Sequence, residues 1–304
     1  MSELSLGPQA KRANRLNLSP TQKELLAGTV GGVAQVLVGQ PFDLVKVLQQ
    51  TSPSGTYKGP LDVAVKVFKN EGPRAFYKGT LTPLLGIGAC VSIQFAAFGA
   101  AKRYFTQDKA PGQNLSMGEL FAAGAFAGVA NTILSGPIEN IRIKLQGQPK
   151  PKAGEQKLYN GPLDVASKLY RAHGIKGIFQ GQVPTIWRDG LGSGSYFAAY
   201  EATIQYVCKT QNIARDQISP LWAVGSGMVA GYALWFSVYP IDVVKSKIQS
   251  GAGVYSGMVD CFSKTWKNQG LKGFTNGLIP TLVRSPFANG ATFLFFELTM
   301  RALQ

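Results

Sequence analysis

Three times along this chain, a proline at the end of an apolar run is followed two residues later by an acid and three further on by a base. The copies are PFDLVK from Pro41, PIENIR from Pro137 and PIDVVK from Pro240, spaced 96 and 103 residues apart. A proline inside a helix removes a backbone donor and bends the helix. An acid and a base three apart share one helix face. One copy could end any buried helix, but three at a near-constant spacing mean that the chain is one unit written three times.

Other landmarks keep the same register. YKGPLDVAVKVFKNEG (residues 57–72) returns as YNGPLDVASKLYRAHG (159–174) and YSGMVDCFSKTWKNQG (255–270). Each is followed by a further glycine, in FYKG at Gly79, FQG at Gly181 and TNG at Gly277. The longer second unit carries its extra residues in the polar stretch GQPKPKAGEQK, where a longer loop costs little.

Uncharged runs cover residues 25–42, 80–101, 121–138 and 217–241, with lengths of 18, 22, 18 and 25. Each is close to the ~20 apolar residues that span a bilayer. Residues 178–200 and 274–296 resemble them except for charges at mid-length. The expectation is therefore an all-α membrane protein with two spans per unit and six in total. An even number of spans puts both ends on one side. The amphipathic stretch between each proline motif and the next span reads as a short surface helix ended by glycine. Gly28/Gly32, Gly124/Gly128 and Gly227/Gly231 each form GxxxG at matching positions, a spacing that lets helix backbones approach closely. A soluble helical protein is the alternative. The low mean hydropathy favours it, although polar faces lining an aqueous cavity would lower that average equally.

Composition removes several function classes. Charged residues are 15% of the chain, against roughly 25% in soluble domains. The net charge is +15, but the basic residues lie between long uncharged runs. That pattern fits a membrane surface or an anionic solute better than nucleic acid, which is recognised by a clustered basic patch. Cys90, Cys208 and Cys261 are odd in number and form no CxxC pair, and His173 is the only histidine. No disulfide framework, metal site, cofactor or nucleophile–base cluster is visible, so an enzyme is not expected. The first 20 residues lack an apolar core, so they read as a flexible tail rather than a secretory signal.

The threefold Px[DE]xx[KR] set, with a glycine landmark before each second span, resembles the mitochondrial carrier family over nearly the whole chain. Within that family, ALWFSVYPIDVVKS and GTLTPLLGIGACVSIQF look most like the fungal carnitine, ornithine and amino-acid branch. The resemblance implies six transmembrane helices in three pseudo-repeats forming a threefold barrel, with short matrix-side surface helices. The repeats are residues 21–110, 111–210 and 211–304. It also implies a multi-pass protein of the mitochondrial inner membrane that transports a solute by alternating access, by exchange. The implied partners are the solute and the bilayer, with an anionic lipid such as cardiolipin at the matrix-side helices, and the protein is expected to be a monomer.

The resemblance assigns roles to residues. Asp43 with Arg142, Glu139 with Lys245, and Asp242 with Lys46 would form a ring that closes the matrix side. Gln50, Gln146 and Gln249 match the family's glutamine brace across those pairs. The family's second gate, [FY][DE]xx[KR], is degraded here to FGAAK, YEATI and FELTM. Only Lys102, Glu201 and Glu297 remain, which implies a weaker cytoplasmic gate. Arg188, Asp189 and Arg284 interrupt spans at one repeat position, seven residues past Gly181 and Gly277, and Gly86 is the first-repeat equivalent. Charges at that depth point to function. A guanidinium takes a carboxylate bidentately and an aspartate meets an ammonium, so together they suit a zwitterion such as an amino acid or carnitine. An internal salt bridge is the competing reading. Trp235 could cover a cation, Gln94 offers a further polar contact, and Gly86 would leave room for a tail. A proton or anion leak, or a receptor built on the same fold, is the alternative function.

Overall fold

The computed structural model describes residues 19–53, 55–107, 109, 115–148, 156–214, 217–251 and 255–303. Apart from Ser19 and Pro20, the expected tail lies outside them, as does most of the second-repeat insertion.

Nine α-helices and no strand occur among the described residues. They are α1 (Pro20–Thr51), α2 (Pro60–Glu71), α3 (Leu81–Thr106), α4 (Met117–Gly147), α5 (Pro162–Ile178), α6 (Gln182–Gln211), α7 (Pro220–Ser250), α8 (Met258–Gln269) and α9 (Leu278–Ala302). Local signals set the starts. The Ser19 hydroxyl accepts from the Gln22 amide while the Gln22 side chain accepts from the Ser19 amide, and Ser116 with Glu119 repeats this box at α4. Pro41, Pro137 and Pro240 lie inside α1, α4 and α7, which run on past them.

The six long helices form a ring in the order α1, α3, α4, α6, α7, α9. Neighbours pack along their lengths at α1–α9, α3–α4, α4–α6 and α6–α7, but only briefly at α1–α3 and α7–α9. The GxxxG pairs explain part of this. A side-chain carbon at Gly124 or Gly128 would strike the backbone of Ser193 or Asp189, so α4 and α6 meet closely there. Gly28 faces open space, and Gly227 meets no atom closer than 3.9 Å. Close backbone approach is thus realised in the second repeat, and α1 instead seats Gly31 against the Thr292 carbonyl of α9.

Large apolar side chains point out of the ring. Leu85, Phe95, Phe126, Ile133, Phe236 and Phe287 are all more than half exposed. An apolar surface this extensive belongs in lipid. By length and composition alone, three segments among the described residues suffice to cross a membrane: 73–106 including α3, α4, and most of α7.

The short helices α2, α5 and α8 cover the matrix ends of α1, α4 and α7. Val63, Val165 and Cys261 occupy one repeat position and are fully buried, against Leu44 and Val45, Leu145, and Val244 respectively. Burying a side chain of this size stabilises by about 1.5–3 kcal/mol. Asp62, Asp164 and Asp260 each accept from a backbone amide four residues earlier at 2.9 Å. The same carboxylates pair with Lys66, Lys168 and Lys264 one turn on, at 2.8 to 2.9 Å. All three carboxyls are held below the usual aspartate range, Asp62 and Asp164 by the amide first and the lysine second, Asp260 by Lys264 first and the amide second. His173 is exposed on α5.

The turns into the even-numbered spans hold Gly79, Gly181 and Gly277 at φ of +75°, +76° and +82°, where a side chain is strained. Each glycine lies against the first long helix of the next repeat around the ring. An added carbon would meet the Arg142 carbonyl, the Gln249 side chain or the Lys46 carbonyl.

Candidate functional site

The three acid–base sets meet across repeats at the matrix end of the ring. Asp43 accepts from Arg142 Nη2 at 2.7 Å, and Lys46 Nζ lies 2.8 Å from Asp242. Lys245 pairs with Glu139. Each pairing is the one the resemblance implied. They are well shielded, with the side chains of Asp242 and Lys245 each 2% exposed. The space left at the centre is about 50 Å³, room for little more than a water or two. Truncating one partner of a buried pair strands the other and costs about 3–5 kcal/mol.

Charges that the sequence placed at mid-span reach the same ring. Arg188 on α6 contacts Asp189 through Nε at 2.6 Å, Glu139 at 2.8 Å and Asp242 at 3.4 Å. Asp189 also accepts from Ser135 at 3.0 Å. Arg284 on α9 lies over Gly39, with its Nε 2.9 Å from Asp43. The contact of Arg284 is electrostatic, since its Nε lacks hydrogen-bond alignment. Arg188, Asp189 and Arg284 therefore contact the ring acids, which is the internal salt bridge named as the competing reading.

The remaining expected positions divide. Trp235 lies under a cation, but that cation is Lys46, 4.3 Å from the ring centroid. The room expected beside Gly86 is filled, because Ile138 Cδ1 lies 2.3 Å from where a side-chain carbon would stand. Gln94 is half-buried on α3. Of the glutamines, Gln50 donates to Asp242 at 3.0 Å and to the Tyr239 hydroxyl at 3.2 Å. Gln249 turns away to the Gln180 carbonyl, and Gln146 leaves its Nε2 without a partner. At the opposite end, Lys102 lies over the Phe98 ring and buried Glu201 accepts from Gln205. The side chain of Glu297 lies outside the described residues.

Sequence reasoning passed over the residues just before each motif. Gln40 is fully buried, accepts from Arg142 and donates to the Lys78 carbonyl at 2.6 Å. Tyr239 donates to the Asn276 carbonyl at 2.9 Å, the same position one repeat pair later. The second repeat has Gly136 there, and the Gln182 side chain fills its space. A glutamine directly before a proline in an apolar run was the available signal.

Comparison with known proteins agrees with this architecture. The family model described as mitochondrial carrier protein matches residues 17–109, 113–211 and 216–304. The glutamate/glycine mitochondrial carrier ymc1 of Schizosaccharomyces pombe is 45% identical, covering 92% of this chain and 94% of its own length. The mitochondrial glycine transporter YMC1 of Saccharomyces cerevisiae is 45% identical, covering 92% and 91%. The mitochondrial carnitine/acylcarnitine carrier protein of Macaca fascicularis is 36% identical, covering 92% and 94%. With three tandem units, a ring of six long helices and cross-repeat ion pairs at one end, the chain belongs to the mitochondrial carrier family and is a multi-pass solute transporter of the mitochondrial inner membrane.

Proposed function

We propose that the transported solute is a small amino acid of the glycine or glutamate type, moved by alternating access in exchange for a second solute. The observation that carries this reading is Arg188, a single guanidinium held by Asp189, Glu139 and Asp242. A substrate carboxylate that binds Arg188 competes directly with two acids of the ring. Arg284 and Asp43 offer the same competition to a second carboxylate. A substrate ammonium competes with Lys46 for Trp235 and with Arg188 for Asp189. Binding is thereby linked to loosening of the ring, as differential affinity for two states requires. The filled space at Gly86 argues against a long acyl tail at that point. The names of the 45%-identical relatives point the same way. Asp43, Lys46, Glu139, Arg142, Asp242 and Lys245 act in this reading as the matrix gate. Lys102, Glu201 and Glu297 act as a sparser cytoplasmic one.

A groove of about 460 Å³ between the turn before α3 and the start of α5 is lined by Arg74, Lys78, Lys157 and Gly161. We read it as a seat for an anionic lipid headgroup such as cardiolipin on a monomeric carrier.

The test is uptake by purified protein in liposomes preloaded with glycine, using labelled glycine, glutamate, carnitine and ATP outside. Exchange of glycine or glutamate is expected, with loss in Arg188→Ala protein that still unfolds cooperatively in detergent. Carnitine exchange without amino-acid exchange would overturn the assignment.

A further inference from the structure

The three ring pairs have unequal support. Asp43–Arg142 is held by Gln40, a neutral side chain whose other end is fixed to the Lys78 carbonyl. Lys46–Asp242 is held by Gln50, itself tied to Tyr239, which is fixed to the Asn276 carbonyl. For Glu139–Lys245 the equivalent anchors are missing. Gly136 stands where Gln40 and Tyr239 stand, and Gln249 donates to Gln180 instead. Among the described residues, Glu139 makes direct ion pairs with Lys245 and Arg188, and the direct ion pair of Lys245 is with Glu139, Asp189 and Asp242 acting on it from further off.

We infer that Arg188 is the brace of the Glu139–Lys245 pair, so that the gate is released first between α4 and α7, by a solute drawing Arg188 away. The inference rests on the reading of Arg188 as a solute contact. It makes the ring mechanically unequal: two latches keep a fixed neutral side chain besides their arginine contact, Arg284 at Asp43 and Arg188 at Asp242, while the third has Arg188 and no neutral anchor. A symmetric ring would need binding energy spread over three pairs. Here the energy is delivered to one, and the other two follow once α7 moves.

The test uses thiol reporters beside the ring in a parent with Cys90→Ala, Cys208→Ala and Cys261→Val, the last taking the residue found at the equivalent positions 63 and 165. Ser246→Cys sits next to Lys245 and Val47→Cys next to Lys46; both line the small closed space. Labelling by a membrane-impermeant thiosulfonate is measured from the matrix side in liposomes, without solute and with glycine or glutamate. Arg188→Lys keeps the charge but not the fork that bridges two carboxylates. It is expected to speed solute-free labelling of Ser246→Cys by about tenfold, equivalent to a 1.4 kcal/mol shift in the gate equilibrium, with Val47→Cys changed far less. Gln50→Ala, which frees the Lys46–Asp242 pair, should instead speed Val47→Cys more than Ser246→Cys. Glu139→Gln, which removes the acid at unchanged size, should match Arg188→Lys. Equal acceleration of both reporters by Arg188→Lys and Glu139→Gln, or protection of Ser246→Cys in both, overturns the inference. If the reporters separate as stated but solute still accelerates labelling in Arg188→Lys, the brace stands and the solute assignment fails.

Discussion

Arg188 Nη2 lies 2.8 Å from Glu139 Oε2, the same oxygen that takes the Lys245 ammonium. One carboxylate oxygen thus carries both a gate contact and a contact from the residue assigned to solute binding. Each expectation below follows from such shared partners.

Removing a ring acid should be costly. Asp242 is bound by Lys46, Arg188 and Gln50. Asp242→Asn is expected to destabilise the folded carrier by about 3–5 kcal/mol. The check is a thermal unfolding midpoint in detergent. The exchange Asp242→Lys with Lys46→Asp should recover part of the loss, and a double variant no better than the singles would show that the pair carries no direct energy.

The turn glycines should tolerate no side chain. Gly277 has φ +82°, and an added carbon would lie 2.9 Å from the Tyr239 hydroxyl and 3.1 Å from the Lys46 carbonyl. Gly277→Ala is expected to cost about 1–3 kcal/mol from backbone strain alone. Because it also pushes on the Lys46 helix, it should raise matrix-side labelling beside that lysine. Gly59, which meets nothing within 4 Å and has φ 171°, serves as the tolerant control.

Thiol chemistry should follow burial. Cys261 is fully buried, and desolvation raises its thiol above the usual value of 9.0. N-ethylmaleimide should label Cys90 and Cys208 in the folded protein and reach Cys261 only on unfolding. Since the folded-state value is raised, the thiol's contribution to stability is present below the unfolded-state value and is lost as pH rises through the folded one. Unfolding midpoints measured from neutral pH upwards should fall more steeply in the unsubstituted carrier than in Cys261→Val.

Acid should act in the opposite sense at the surface helices. Asp62, Asp164 and Asp260 are held below the usual aspartate range by an amide and a lysine. Their contribution is therefore present above that range and is lost as pH falls through the lowered values. Asp164→Asn should weaken the carrier at neutral pH and flatten its acid dependence, read from the same midpoints.

Much of this was legible before any coordinates. Asp43, Glu139 and Asp242, with their bases, announce themselves because charge after an apolar run is rare and the motif recurs three times, while the choice of partners came from the family resemblance. The surface helices follow from their periodicity and from their glycine ends. What the repeats hide is their inequality. Gln40, Gly136 and Tyr239 share one position but no chemistry, so aligning the repeats averages them away. The close approach of α4 to α6 is equally silent, since the same GxxxG stands in the other repeats without the same neighbour. The reach of Arg188 depends on a long flexible side chain crossing between helices, which spacing along one helix does not encode.

The ring is closed by α1 lying along α9, the first and last of the described helices, with Gln35 donating to Asn289 at 3.2 Å and Arg284 resting on Gly39. During synthesis, the opening helix therefore enters the bilayer with its inward polar side chains lacking their final neighbours until the closing helix emerges some 250 residues later. Truncation before α9 would leave that polar stripe bare to lipid, so quality control should degrade such fragments rather than tolerate them as partial carriers.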